Sequence, residues 1–144
     1  MKRTLGLTLL LFATLFSCMR QEKPLPAELS RAESVMWEHP DSALSILRSM
    51  PQSSLSIGKN YATWALLLAQ ARDKVYGKRL PDSLNIPSSD KLVQDAMDYF
   101  EKEGDLKRMA QTYYYKGQLL KDQKKITEAM PFFLKSKEMM TKLD

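Results

Sequence analysis

The stretch Tyr113-Tyr114-Tyr115-Lys116-Gly117-Gln118-Leu119-Leu120, with Ala129-Met130-Pro131-Phe132-Phe133 following it, decides the fold. Tyr113, Gly117 and Leu120 recur at helical spacing and share one face. Ala129 and Phe133, four residues apart, share a face of a second helix. Gly117 and Ala129 are small, so two antiparallel helices can approach closely there, and Tyr113, Leu120 and Phe133 fill the space around the contact. Residues 110–140 therefore read as one helix pair.

Working outward, the unit repeats. Ala96-Met97-Asp98-Tyr99-Phe100 returns as Ala129-Met130-Pro131-Phe132-Phe133, with the alanines and the final phenylalanines 33 residues apart. A period of that size indicates stacked helix pairs. Ala43-Leu44-Ser45-Ile46-Leu47 is a weaker copy. Tyr61-x-x-Trp64-Ala65-x-x-Leu68 has the first-helix spacing, with Ala65 as the small residue, and Ala96 and Phe100 lie on its partner helix. Between these two helices, residues 76–88 hold Gly77, Pro81, Asn85 and Pro87, and read as an ordered loop or short extension longer than a repeat turn. Such a loop is either functional or a length variation without a role.

Starts and stops complete the outline. Pro26 suits a helix start, and Leu29, Ala32, Val35 and Met36 form an apolar stripe. Pro40 takes the first position of the next helix, which Met50-Pro51 ends. Ser88 or Ser89 caps the fourth helix, Gly104 follows its end, and Asp105 caps the fifth. Pro131 falls within the sixth: if Thr127 caps that helix only an early hydrogen bond is lost, and an earlier start predicts a kink. Helix formers dominate and strand-like alternation is absent, so the class is all-α, about three antiparallel pairs over residues 27–144.

The unit at 110–140 resembles the tetratricopeptide repeat, with Lys116 standing where that family usually has Leu and Thr141 where it usually has Pro. The resemblance implies a short right-handed solenoid of TPR-like pairs. It assigns Tyr61, Ala65, Leu68, Ala96, Phe100, Tyr113, Gly117, Leu120, Ala129 and Phe133 to packing between helices. It also implies a concave groove on which the fifth helix presents Gln111, Tyr114, Gln118 and Lys121, where tyrosine offers a flat contact and a hydroxyl to a peptide. Three successive helical positions point about 100° apart, so Tyr113, Tyr114 and Tyr115 cannot share one environment. Tyr114 either faces the groove or packs on the next repeat. Met109 and Met130 read as core filler. Repeat stacks usually close with a polar-faced cap. Phe132, Leu134, Met139 and Met140 instead suggest an uncovered edge, open to another copy of the chain or to further repeats.

The amino end carries a different message. Lys2 and Arg3 precede an uncharged, mostly apolar run from Leu5 to Phe16. This is the pattern of a secretory signal, and the run is shorter than the ~20 residues of a spanning helix. Leu15-Phe16-Ser17-Cys18 resembles the lipobox of bacterial lipoproteins, which implies cleavage after residue 17 and diacylglyceryl transfer to Cys18. A single acyl chain holds only marginally, so further acylation is expected. Residues 18–26, polar and proline-containing, read as a tether. Cys18 is the only cysteine, so no disulfide supports the fold and the core must stand on packing.

The net charge of +5 is mild and scattered, and in an exported, anchored chain it argues against nucleic acid. No nucleophile elbow, P-loop or His/Cys metal cluster is present in the sequence, and the single histidine, His39, reads as a cap or surface residue. Glu101 and Glu103 lie in a run of alternating charge, normally a solvated face. The expectation is therefore a non-enzymatic lipoprotein of the bacterial cell envelope, without cofactor or metal, held on the outer membrane in preference to the inner. It would bind a protein or peptide through TPR-like repeats, with self-association through its carboxyl edge as a further contact. The alternative is a ligand-sensing or glycan-binding accessory of an outer-membrane uptake or signalling system. The run from Trp64 through Arg72-Asp73-Lys74 to the tyrosine-rich helix also resembles periplasmic sensor regions of bacterial signalling proteins.

Overall fold

The computed structural model describes residues 24–51, 55, 58–77 and 88–143. The signal segment, the lipobox with Cys18, most of the expected tether and most of the insertion at 76–88 lie outside the described residues. Those described form six helices and no strand: α1 (Ala27–Val35), α2 (Pro40–Ser49), α3 (Lys59–Tyr76), α4 (Ser89–Glu103), α5 (Leu106–Asp122) and α6 (Ile126–Thr141). Each packs on the next, and α3 also touches α1 and α5. None is long and apolar enough to cross a membrane.

The caps explain the boundaries. Ser88 Oγ accepts from the Lys91 amide at 3.3 Å, opening α4, so Ser88 rather than Ser89 is the cap. Gly104 closes α4 in the left-handed region at φ 73°, where only a residue without Cβ sits at no cost. Asp105 Oδ1 then accepts from the Arg108 amide at 3.0 Å and opens α5 one residue later. Pro40 occupies the first turn of α2, where the missing N–H costs nothing. Helix α6 begins at Ile126 behind Lys125, so Thr127 is not its cap. Pro131 lies in its second turn, and the helix runs unbroken past it.

α3 is the centre of the core. Every residue from Ala62 to Arg72 is buried, because α1, α2, α4 and α5 surround it. Trp64 joins it to α2: the ring is buried and its Nε1 donates to the Leu47 carbonyl at 2.9 Å. Ala65 and Leu68 are fully buried on α3, as are Ala96 and Phe100 on α4, while Tyr61 is half-buried. Tyr61 donates to Asp95 Oδ2 at 2.8 Å, tying α3 to α4.

The last pair differs from the others. Met97 is 8% exposed, whereas Met130, at the matching place in the repeat, is 52% exposed. Helix α5 covers α4; among the described residues no helix covers the same face of α6. Met130 is thus not core filler, and Met109, half-buried, is. The expected uncovered edge keeps Leu134 and Met140 but loses Met139 and Phe132. Met139 is buried and Phe132 half-buried, while the exposed apolar residues of the region are Ile126, Met130, Leu134, Met140 and Leu143.

Candidate functional site

Helix α5 packs on α4 and α6 and also touches α3. On the α6 side, Gly117 lies against the Phe133 ring. A Cβ built on it would lie 2.8, 2.9 and 3.0 Å from Cε1, Cδ1 and Cζ of Phe133. Alongside, Ser136 Oγ donates to the Ala110 carbonyl at 2.8 Å, and the rings of Tyr113 and Phe132 are 6.4 Å apart. On the α4 side, Tyr113 Oη donates to Glu101 Oε1 at 2.6 Å. Glu101 therefore has a structural partner rather than being only a solvated charge. Burial and that carboxylate push the Tyr113 hydroxyl up to about 12. Leu120 and Ala129 are both buried.

Lys116, out of place in the repeat pattern, is also explained. Its ammonium meets Asp90 Oδ1 at 2.8 Å, so the aliphatic stem stays largely covered while the head is paired.

The four residues expected to line a groove have different surroundings. Tyr114 is 43% exposed, with edge contacts to the rings of Tyr115 at 5.2 Å and Phe133 at 5.9 Å, both within the last helix pair and neither on a further repeat. Gln111 is half-buried, and its Oε1 accepts from Arg108 at 3.1 Å. The same guanidinium reaches Glu33 Oε2 at 2.7 Å, so a buried arginine on α5 spans to α1. Lys121 is exposed. Gln118 instead turns into a pocket.

That pocket, of about 190 Å³, lies where the carboxyl-terminal parts of α3 and α5 meet the first turns of α4. Ala69, Val93 and Leu119 supply apolar wall; Asp73, Ser89, Tyr115, Gln118, Asp122 and Gln123 supply polar groups. Burial pushes the Asp73 carboxyl up from the usual carboxylate range, and the nearby charge of Asp122 adds to this, while Lys121 and Lys74 oppose it. Burial, with the negative charge of Asp73, also pushes up the hydroxyl of Tyr115, which shares a hydrogen bond with Gln70.

Sequence reasoning missed Asp73, Asp122 and the Arg108–Glu33 pair. Their signal was weak, because each sits in a run of charge of the kind that is usually solvated. His39 is exposed and makes no side-chain cap bond. Among the described residues no group of three His, Cys, Asp or Glu side chains is arranged to hold a metal ion. The exposed Trp37, 74% accessible, carries Lys74 Nζ 3.5 Å from its ring centroid. No protein-family model, no curated protein and no solved structure matches this chain.

Proposed function

We propose that this chain is a bacterial lipoprotein, acylated at Cys18, whose stacked TPR-like helix pairs bind a protein or peptide at the cell envelope without covalent chemistry. The observation that carries the reading is the contact of Gly117 with Phe133, the small-residue approach that the repeat resemblance requires of a helix pair. The packing of α3 on both α1 and α5 supports a solenoid, since the first helices of successive pairs then stack side by side. A right-handed TPR-like stack presents those first helices on its concave face, where Tyr114 and Lys121 are the exposed contact residues and Gln118 is reached through the pocket it lines. Gln111 contributes less, being committed to Arg108.

The glycan-binding alternative asks for an aromatic platform open to a sugar ring. Among the described residues Trp37 is the most exposed aromatic, but Lys74 covers one of its faces, so the peptide reading is preferred. Two experiments test the proposal. Mass spectrometry of the membrane fraction should find the mature chain beginning at an acylated Cys18, and Cys18→Ser should abolish both processing and membrane retention. Tyr114→Ala should leave the chain folded, with a midpoint lowered only by the loss of its edge contacts to Tyr115 and Phe133, and should reduce capture of the partner from membranes; unchanged capture would remove the groove.

A further inference from the structure

Five of the seven large apolar side chains exposed among the described residues lie on α6 or just past it: Ile126, Met130, Leu134, Met140 and Leu143, each 47–61% accessible. Single apolar residues scattered over a surface need no explanation, but a contiguous patch marks a contact. Successive residues of a helix turn by about 100°, so Ile126, Met130, Leu134 and Met140 form one stripe. It runs beside the buried face of α6, which holds Ala129, Ser136 and Met139. The stripe follows most of the length of the helix, about 24 Å.

Its charge is as uneven as its polarity. Lys124 and Lys125 precede Ile126, and Lys137, three residues from both Leu134 and Met140, lies within the stripe; all three are exposed. The positive end of the α6 dipole adds to Lys124 and Lys125. The acids of the helix lie elsewhere. Glu128 projects about 180° from the middle of the stripe, and Glu138 accepts from Lys142 at 2.7 Å. The face is therefore both apolar and positive.

That combination decides what covers it. A second copy meeting the stripe with the same face would bring two Lys137 ammoniums into one apolar seam. No acid of the stripe lies there to pair them, and desolvating an unpaired ammonium is costly. A lipid surface accepts the same residue, because the lysine stem lies along apolar surface while its head reaches the phosphates. Helices with an apolar stripe and lysines beside it lie in the plane of the headgroups, about 5–10 Å deep. We infer that the α6 stripe rests on an anionic bilayer surface. Ile126, Met130, Leu134 and Met140 enter the boundary between headgroups and acyl chains, and Lys124, Lys125 and Lys137 meet the lipid phosphates. Acylation at Cys18 would hold the stripe near such a surface, but the contact does not depend on it.

The test uses the full chain with Cys18→Ser, so that no acyl anchor is present, and an environment-sensitive fluorophore on a single introduced cysteine. Met130→Cys and Leu134→Cys place the probe on the stripe, and Asp98→Cys places it on the exposed side of α4. With vesicles of equal parts phosphatidylglycerol and phosphatidylcholine, emission from positions 130 and 134 should rise severalfold and shift to shorter wavelength, and position 98 should not respond. The apolar run from Leu5 to Phe16 partitions into lipid on its own account, so the difference between positions decides, not total binding. Titrated through position 134, vesicles of phosphatidylcholine alone should bind more weakly by about tenfold or more. The same loss is expected on anionic vesicles when Lys124, Lys125 and Lys137 are all replaced by Gln. A response at 134 no larger than at 98, or equal titrations on anionic and neutral vesicles, overturns the proposal. So does a shift at 134 that grows with protein concentration without lipid and accompanies a dimer in sedimentation, which assigns the stripe to a second copy.

Discussion

Replacing Gly117 with alanine isolates the contact that organises the last helix pair. In an exposed helix interior the change stabilises by about 1 kcal/mol, because glycine loses more backbone freedom on folding. Here the new methyl would meet three atoms of the Phe133 ring at 2.8–3.0 Å, where ordinary contacts lie at 3.4–4 Å. The ring, edge-on to Tyr114, or the helix backbone must therefore yield by several tenths of an ångström. Overpacking of this kind costs about 1–3 kcal/mol. The clash outweighs the propensity gain, and Gly117→Ala is expected to destabilise by about 1 kcal/mol, with Gly117→Val costing more. The sign reverses once the ring is gone: in a Phe133→Ala background the same alanine should stabilise by about 1 kcal/mol. Urea unfolding followed by circular dichroism on the four proteins of this cycle measures the coupling, expected near 2 kcal/mol. A Gly117→Ala protein more stable than the parent in the presence of Phe133 would refute the close approach.

Other expectations follow from single contacts. Arg108→Met removes the link from α5 to α1; because Glu33 is partly exposed and can rehydrate, the loss should be about 1–2 kcal/mol in urea unfolding. Trp64→Phe forfeits the bond to the Leu47 carbonyl and leaves unfilled volume beside α2, for about 2–4 kcal/mol by the same assay. The hydroxyls of Tyr61 and Tyr113 are both pushed up to about 12, chiefly by burial and then by Asp95 and Glu101. The folded chain thus keeps protons that the unfolded chain releases above its tyrosine value of about 10. Stability should fall as pH rises from about 10 to about 12, and ultraviolet titration should show these two tyrosines ionising late, together with Tyr115, which burial also pushes up.

The parts of the fold legible in the sequence are those set by local chemistry. Ser88, Gly104 and Asp105 bound their helices because caps act within a few residues. The 33-residue recurrence of Ala96 and Ala129 marks two buried positions because small residues at helix contacts have few substitutes. What escaped depends on distant partners. Met97 and Met130 occupy the same place in the repeat, yet only one is covered, and no local pattern reveals whether another helix follows. Lys116 looked like a defect in the repeat until Asp90 stood beside it. Nothing local singles out Arg108, because Glu33, its partner, lies on the first helix of the stack. The pocket escaped for the same reason: Asp73 lies in the last turn of α3 and Asp122 ends α5, and only the packing of α3 against α5 brings them together.

The most direct test of a tethered binding module is site-resolved photo-crosslinking on intact membranes, with the acylated chain carrying a photoreactive residue at one position at a time. Positions 114, 118 and 121 on α5 should crosslink to one discrete protein or peptide, and position 98 on the exposed side of α4 should not. The Cys18→Ser chain should lose the product. Crosslinks of equal yield from all four positions, or none from α5 while the acylated chain is present in the membrane, would contradict a groove on that helix.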